Sequence, residues 1–382
     1  MFISEGLEHF CQPNGWKLTA DREDPKFFIS VLTDIKGNSH YCACLAFSEA
    51  VSKDLIEDVA KNQTTHDEDD EDVVDSNKSL AARATLRGTS LPRHIVPGIS
   101  LPAMPHDAVL FAPKCLVLVS RYDFPEVFRN CLGVIYTVYS ECMVGAGGER
   151  IKLESMVGNL LGHVYVPNVG GSQVRFSLGG LDKLTLNPPM YPKIPQTGTR
   201  VALLFQQLGI RNVLWLVMAA LTEQKILFHS ESFSRLTDSC TALVALLYPF
   251  KYSHVFIPII PSSLVEVLNN PTPFIMGVHS IHEREINEVM DTIVVDLDGG
   301  ALTLPENYKI YMVSEPLLSK AQKELALVLK PDLSGADNAF QFYEGAKKPL
   351  ALLDKELRAV MLRLMVHILE GYRSCLTMVR YF

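Results

Sequence analysis

Strand-like and helix-like hydrophobic patterns occupy two separate stretches of the chain. In the first, residues 26–32 and 40–47 are β-rich runs that flank the turn-forming residues 33–39, which predicts an antiparallel hairpin. A continuous apolar run at residues 115–120 predicts a third, buried strand. Asp123-Phe-Pro-Glu126 then predicts a capping box with proline in the first turn of a helix. Apolar side chains at helical spacing predict its buried face: Val127, Cys131, Val134, Ile135 and Val138.

Two segments lack this periodicity. Residues 49–90 combine a block of like charges with few apolar anchors, which predicts a disordered, solvated loop. Residues 141–211 are rich in Gly and Pro and predict a connector with short strands and few helices.

In the second stretch, strands alternate with helices that have their own capping signals. Strands are predicted at residues 225–229, 254–259, 273–278 and 292–296, and helices at 233–247, 263–268 and 280–290. This alternation requires crossover connections and predicts a mostly parallel sheet with covered faces. Helices are also predicted at residues 317–329 and 352–379. The apolar stripe of the last helix comprises Leu353, Leu357, Val360, Met361, Leu364 and Ile368.

Length and composition indicate a folded α/β protein. A chain of 382 residues suggests two domains, and 48% hydrophobic with 20% charged residues is too apolar for a disordered regulator. We expect no membrane-spanning helix, because apolar runs such as residues 213–221 are shorter than the roughly 18 to 20 residues needed. The N-terminus lacks the basic start and apolar segment of a secretory signal. Eight scattered cysteines favour a reducing cytosol.

The acidic charge of the chain is local. The formal net charge is −8, but residues 67–75 contain seven carboxylates and no cation, which leaves 35 basic against 36 acidic residues elsewhere. Nucleic-acid binding would require clustered Lys and Arg on one face, so we expect no nucleic-acid partner.

Two cysteine motifs have competing interpretations. Cys115 and Arg121 match the C-x5-R spacing of cysteine-dependent phosphatases, but the five residues between them, Leu-Val-Leu-Val-Ser, contain no glycine and favour a core strand over a phosphate-binding loop. His40, Cys42 and Cys44 could share one strand face as zinc ligands. A zinc site normally needs four ligands, so structural thiols on a half-buried strand are favoured.

The remaining motifs define no chemical centre. His279-x-x-His282 lacks the HExxH order and favours polar residues at a helix start over metal ligands. The P-loop, dinucleotide-binding and nucleophile-elbow patterns are absent from the sequence. Asp296 and Asp298 follow a predicted strand, where open α/β sheets often bind partners, although a plain turn explains them equally well. We therefore expect no catalytic residue, metal ligand or cofactor, and a binding role rather than hydrolase or phosphatase chemistry.

Longer segments resemble a known family. Residues 154–300 are similar to the central part of the DENN module in the segments SMVGNLLGHVYVP, VALLFQQLGIRNVLWLVMAALTEQKILFHS, LLYPFKYSHVFIPIIPSSLVEVLNNPTPFIMGV and VVDLDGG. Upstream, FCQPNGWKL, FFISVLTDIKGNSHYCACLAF and APKCLVLVSRYDFPEVFRNCLGVIYT resemble the upstream subdomain, and LLDKELRAVMLRLMVHILEGYRSCLTMVR resembles the start of the downstream one. The combination is most similar to the set-binding-factor branch of myotubularin-related proteins, which are catalytically inactive relatives of phosphatases.

The resemblance implies an α/β, bilobed fold. It assigns residues 1–140 to a longin-like upstream lobe with an antiparallel sheet and helices, residues 141–315 to a central α/β lobe with a mostly parallel sheet, and residues 316–382 to the start of a helical downstream part. Relative to the family pattern, the opening longin strand is missing before FCQPNGW, and the downstream part stops after its first long helix.

The implied activity is guanine nucleotide exchange on a Rab-family small GTPase held between the lobes. The alternative is a non-catalytic scaffold that binds a GTPase or an active myotubularin-related phosphatase, the latter through regions absent from this sequence. The implied location is the cytoplasm, with peripheral association on endosomal or other trafficking membranes. Candidate GTPase contacts are exposed residues at lobe edges: Arg121, Tyr122, Asp123, Asn270, Pro271, Thr272, Asp296 and Asp298.

Overall fold

Two main sheets and a helical C-terminal part make up the molecule, which confirms the predicted α/β fold class. The computed structural model describes residues 6–34, 37–51, 109–143, 152–179, 183–188, 194–305, 313–330 and 348–376. The domain boundaries at residues 141 and 316 remain predictions.

The first sheet is antiparallel. After a short helix α1 (Leu7–Cys11), the strands β1 (Lys26–Thr33), β2 (Ser39–Val51) and β3 (Leu110–Ser120) pair in the order β1-β2-β3. The hairpin and the third strand are thus confirmed. The predicted disordered loop is wrong for residues 49–51, because their ladder with β3 extends β2 to Val51. Residues 52–90 lie outside the described residues.

Helix α2 (Pro125–Met143) covers one face of this sheet. Its predicted apolar face is confirmed, with Cys131 and Ile135 buried. The predicted capping box is wrong: the helix begins at Pro125, two residues after Asp123, and the Asp123 carboxylate pairs with Arg200 instead.

Two helices lie in the predicted connector, which corrects the expectation of few helices there. They are α3 (Leu153–His163) and α4 (Arg200–Leu221), separated by the short hairpin of β4 (Val174–Phe176) and β5 (Leu184–Leu186). Glycine misled the prediction, since Gly209 lies inside α4 and kinks it with φ 76° and ψ 167°.

Helix α4 is longer and more apolar than predicted. It has the length and composition of a membrane-spanning helix, with a mean hydropathy of 1.5 over 18 residues, which corrects the expectation that no such stretch exists. Yet 56% of that window is buried inside the protein. In this structure α4 is the central helix of the core, in contact with helices and strands around it.

The second sheet is mostly parallel, as predicted. Its strands are β6 (Lys225–Ser230), β7 (Val255–Ile257), β8 (Phe274–His279), β9 (Thr292–Asp296) and β10 (Ala301–Thr303), in the order β10-β9-β6-β8-β7. Among the described strands of this sheet, only the unpredicted edge strand β10 runs antiparallel to its neighbour. At Gly277 in β8 an added Cβ would lie 2.0 Å from the Pro258 carbonyl oxygen, so this close approach requires glycine.

The helices that connect these strands are α5 (Phe233–Leu246), a 3₁₀ helix (Ser262–Asn269) and a 3₁₀ turn (Ser280–His282) continued by α6 (Glu283–Glu288). Two predicted caps are wrong. The first 3₁₀ helix follows Pro261 without a side-chain cap. The second is capped by the His279 ring, which accepts a hydrogen bond from the Ile281 N–H at 3.2 Å, rather than by Ser280.

The C-terminal part contains helices α7 (Glu315–Leu329) and α8 (Leu350–Leu369) and a 3₁₀ turn (Tyr372–Cys375). The last helix was predicted to reach residue 379, but α8 ends at Leu369, shortly before Gly371. Its predicted stripe is buried except for Ile368, which is 37% exposed, and Met365 is buried as well.

One hydrophobic core joins the two halves of the molecule, the N-terminal half with the three-stranded sheet and the C-terminal half with the five-stranded sheet. Phe28, Cys42 and Cys44 on one face of the first sheet belong to the same buried cluster as α4, α5 and α8. The hydroxyl of Thr237 in α5 donates a hydrogen bond to the Ile29 carbonyl of β1 at 2.6 Å. We call this contact of β1 and the β3–α2 loop with α4 and α5 the seam.

Candidate partner-binding site

Arg200, the first residue of α4, is the polar centre of the seam. Its Nη1 donates to Asp123 of the N-terminal half, and its Nε donates to Asp238 of α5 at 2.6 Å. Burial lowers the pKa of Arg200, but the two carboxylates outweigh this effect and raise the pKa above the usual arginine value. A permanent buried cation therefore connects the two halves.

A second ion pair stands at the carboxyl end of the parallel strands. Asp298, after β9, accepts hydrogen bonds from Arg235, from the Ser230 hydroxyl at 2.8 Å and from the Glu231 N–H at 2.8 Å. Burial raises the pKa of Asp298, but these donors together hold it below the usual aspartate value. Asp298 is therefore a carboxylate at neutral pH.

The turn after β9 is built by its neighbouring aspartate. Asp296 Oδ1 accepts hydrogen bonds from the N–H groups of Asp298 at 2.9 Å and Gly299 at 3.0 Å. Gly300 has φ +70° and lies so close to α4 that a Cβ would be 2.8 Å from the Gln207 carbonyl oxygen. The predicted turn at Asp296 is thus present, and it also orients Asp298 beside α5.

Both arginines line one pocket of about 200 Å³ between α4 and α5. The other lining residues are Leu203, Gln207, Ser232, Ser234, Asp238 and Ser239. Ser232 is the N-cap of α5, and its hydroxyl accepts a hydrogen bond from the Arg235 N–H at 3.4 Å. We call this the seam pocket. It lies beside the carboxyl ends of parallel strands, where open α/β sheets bind ligands.

The structure brings some of the predicted site residues to this pocket. Asp123 and Asp298 each bind one of its arginines, and Asp296 supports the turn that carries Asp298. Arg121 is exposed on the loop before α2. Tyr122 is half-buried against the N-terminal core, with its ring 6.3 Å from that of Phe124.

Asn270, Pro271 and Thr272 lie elsewhere. They precede β8, whereas Asp298 follows β9, and both strands run parallel to β6. The two groups therefore lie at opposite ends of the parallel strands, about 20 Å apart for strands of this length. Asn270 Oδ1 accepts hydrogen bonds from the N–H and the hydroxyl of Thr272, at 2.9 and 2.8 Å, which forms a closed surface turn. One small contact patch cannot contain all eight predicted residues.

Sequence reasoning missed the residues that build the pocket, above all Arg200, Arg235 and Asp238. Arg200 begins a mostly apolar helix, and Arg235 and Asp238 lie one turn apart near the start of another. These charges in apolar surroundings were a usable signal, but their convergence depends on how α4 packs against α5.

The cysteines of the two motifs found in the sequence lie in strands of the core. Cys115 lies within β3, which confirms the strand interpretation, and Cys42 and Cys44 are buried in the core. Burial raises the pKa of the Cys42 thiol to about 12. Within the described ranges, the structure contains no group of three His, Cys, Asp or Glu side chains that could hold a metal ion.

Comparison with known proteins assigns both halves. A family model of the DENN (AEX-3) domain matches residues 111–300, and one of the uDENN domain matches residues 1–47. The chain is 34% identical over 263 residues, 69% of its length, to myotubularin-related protein 5 of Caenorhabditis elegans. It is 26% identical over 359 residues, 92% of its length, to the DENN domain and WD repeat-containing protein SCD1 of Arabidopsis thaliana.

These relatives are much longer proteins. The matched regions span 26% of the Arabidopsis protein and 14% of the nematode protein. The uDENN match falls on α1, β1 and β2, and the DENN match runs from β3 to the turn after β9, so the matches cover both sides of the seam. The chain therefore belongs to the DENN-domain proteins and is of the myotubularin-related type.

Proposed function

We propose that this chain is a guanine nucleotide exchange factor for a Rab-family small GTPase and promotes GDP release by stabilising the nucleotide-free GTPase. The observation that carries the proposal is the coincidence of the uDENN and DENN matches with two α/β halves that share one core and adjoin one polar pocket. The GTPase lies across the side of the seam where the seam pocket opens. The side next to β1 is filled by Phe28, Phe233 and Thr237.

Exchange requires differential affinity rather than covalent chemistry. A GTPase with nanomolar affinity for GDP is stabilised by about 12 kcal/mol, and the exchange factor must compensate much of this with contacts made only when the nucleotide has left. By linkage, a factor that binds the empty GTPase more tightly weakens GDP binding by the same ratio. The residues of this chain therefore act by binding and orientation, without a catalytic acid, base or nucleophile.

Two surface groups are the proposed GTPase contacts. The first is the seam pocket with the adjacent Arg121 and Tyr122. The second is the turn of Asn270, Pro271 and Thr272 at the other end of the parallel strands. Their separation is compatible with a folded partner that contacts both ends of the parallel strands.

The proposed setting is the cytoplasmic face of endosomal or other trafficking membranes, with peripheral attachment and with active myotubularin-related phosphatases as partners through regions outside this chain. Imaging a tagged full-length protein with endosomal markers tests the location. A purely nuclear or luminal signal would contradict it.

Release of fluorescent GDP from a panel of purified Rab GTPases tests the exchange activity. We expect substoichiometric amounts of the chain to accelerate release from at least one member. A stable complex with the nucleotide-free GTPase but without acceleration would instead support the scaffold alternative. The same assay with a version extended at both ends shows whether further sequence is required. The proposal is refuted if both forms fail to bind any GTPase and fail to accelerate GDP release.

A further inference from the structure

The charges that face the seam pocket differ from those behind it. Among its lining residues are two guanidinium groups, Arg200 and Arg235, and one carboxylate, Asp238. The carboxylates of Asp123 and Asp298 pair with the two arginines but do not line the pocket. With these partners counted, two guanidinium groups stand against three carboxylates, so the lining offers a ligand N–H donors rather than a net positive charge.

Both guanidinium groups retain unused donors. The ion pairs of Arg200 use Nε and Nη1, and that of Arg235 uses Nη1, although a guanidinium has five N–H groups. Arg200 is only 6% exposed and fixed by two partners, whereas Arg235 is 41% exposed and can turn toward a ligand. Arg235 is therefore the adaptable donor above a rigid base.

Neutral donors complete the lining. Ser232 and Ser234 lie with their hydroxyl oxygens 3.1 Å apart, and the Ser239 hydroxyl lies 3.5 Å from the Gln207 side-chain oxygen. Hydroxyl and guanidinium donors around a small cavity suit a carboxylate, which accepts two parallel hydrogen bonds from an arginine. A volume of about 200 Å³ is below the usual size of cofactor pockets but accommodates one amino-acid side chain.

We propose that the seam pocket binds an aspartate or glutamate side chain of the GTPase, with Arg235 as its main donor and the serine hydroxyls beside it. This inference rests on the proposed function and adds the chemistry by which the partner is recognised. The acidic side chain comes from the GTPase surface that contacts the seam.

Substitution of Arg235 tests the inference in the full chain. We compare Arg235→Glu and Arg235→Gln with the matched control Arg284→Glu, which reverses an arginine that is 88% exposed on α6, outside the pocket. The measurements are affinity for the nucleotide-free GTPase and GDP release as a function of exchange-factor concentration.

For Arg235→Glu we expect a loss of affinity on the order of tenfold to a hundredfold and a slower association rate, because the substitution replaces a donor with a repelling carboxylate. Arg235→Gln should show a smaller loss, and the control none. The thermal midpoint of Arg235→Gln should change little, because the Arg235–Asp298 pair is partly exposed. If Arg235→Glu nevertheless misfolds, Ser234→Glu introduces repulsion at the half-buried neighbouring position and should also weaken binding.

A charge swap identifies the acidic residue. An Asp→Lys or Glu→Lys variant of the GTPase that binds wild type weakly and regains affinity for Arg235→Glu would confirm the pairing. If Arg235→Glu binds a GTPase that the wild-type chain activates, and binds it as tightly as the wild-type chain does, the inference is overturned and the proposed function stays intact. Saturable binding of inositol phosphates that Arg235→Glu abolishes without changing GTPase affinity would assign the pocket to a phosphate headgroup instead and also overturn it. Failure of wild type to bind any GTPase would refute the proposed function itself.

Discussion

Asp354 of α8 offers the sharpest test of how the C-terminal helices are held. Its side chain is completely buried and accepts hydrogen bonds from the Val201 N–H at 2.9 Å, the Ala202 N–H at 3.4 Å and the Thr197 hydroxyl. A carboxylate of one helix thus caps the N-terminus of another, where the helix dipole favours a negative charge. Arg358 completes the cluster, with its Nε 2.9 Å from the Asp354 carboxylate.

Asp354→Ala should lower the free energy of unfolding by about 3 to 5 kcal/mol, because it leaves buried donors and a partly buried cation without their acceptor. The matched control is Glu356→Ala on the same helix, which removes a partly exposed pair with Lys348 and should cost no more than about 1 kcal/mol.

Urea denaturation followed by tryptophan fluorescence, to which Trp16 and Trp215 contribute, gives the global effect, and hydrogen exchange gives the local one. A loss of 3 kcal/mol corresponds to an increase in exchange of roughly a hundredfold or more at the start of α4 and along α8. If Asp354→Ala resembles Glu356→Ala in both measurements, the capping interaction does not hold α8 in place.

Three further changes probe separate features. Gly277→Ala places a Cβ against the Pro258 carbonyl and should cost more than the roughly 1 to 3 kcal/mol of ordinary overpacking; a soluble variant with an unchanged urea midpoint would contradict the close approach. Leu357→Ala empties a fully buried position on α8 and should cost about 2 to 5 kcal/mol in the same assay; a smaller loss would mean that the site collapses. Burial lowers the pKa of His279, so its stabilising effect is complete above the unfolded value near 6.5 and is lost as the pH falls below it. Wild type should therefore lose more stability than His279→Gln between pH 8 and pH 5.5, and equal losses would show that His279 is not responsible.

The strands were predictable from sequence because each carries its own local signal. The runs at β1, β2, β6 and β8 are β-rich and bounded by turn residues, and their positions were predicted within a few residues. The start of α4 was missed because glycine and proline around it suggested a loop, although Gly209 only kinks the helix. Tertiary packing overrode local propensity there.

The candidate site was less predictable for a geometric reason. Asp123 and Asp298 were chosen from their positions after strands, which is local information, and both adjoin the seam pocket. Arg200 and Asp238 are separated by 38 residues and meet only because α4 packs on α5. Asn270 was also chosen from its position next to a strand, but it precedes β8 instead of following it. In a parallel sheet it therefore lies at the end of the strands away from Asp298.

The ion pairs of Arg200 make the pocket depend on both halves. Asp123 belongs to the N-terminal half, while Arg200 and Asp238 belong to the C-terminal half, so a shift between the halves would change the pocket wall. A partner bound there acts on both halves at once. Its binding energy is therefore linked to the strength of the seam.

Thr237→Val tests this linkage without altering the pocket. The substitution keeps the side-chain shape but removes the hydroxyl that donates to the Ile29 carbonyl, and the unpaired carbonyl should cost about 1 to 3 kcal/mol of stability. If the pocket requires the seam, the variant should also bind the nucleotide-free GTPase more weakly, whereas Arg235 variants should lose affinity alone. A Thr237→Val protein that is destabilised yet keeps full affinity would show that the C-terminal half alone forms the binding surface.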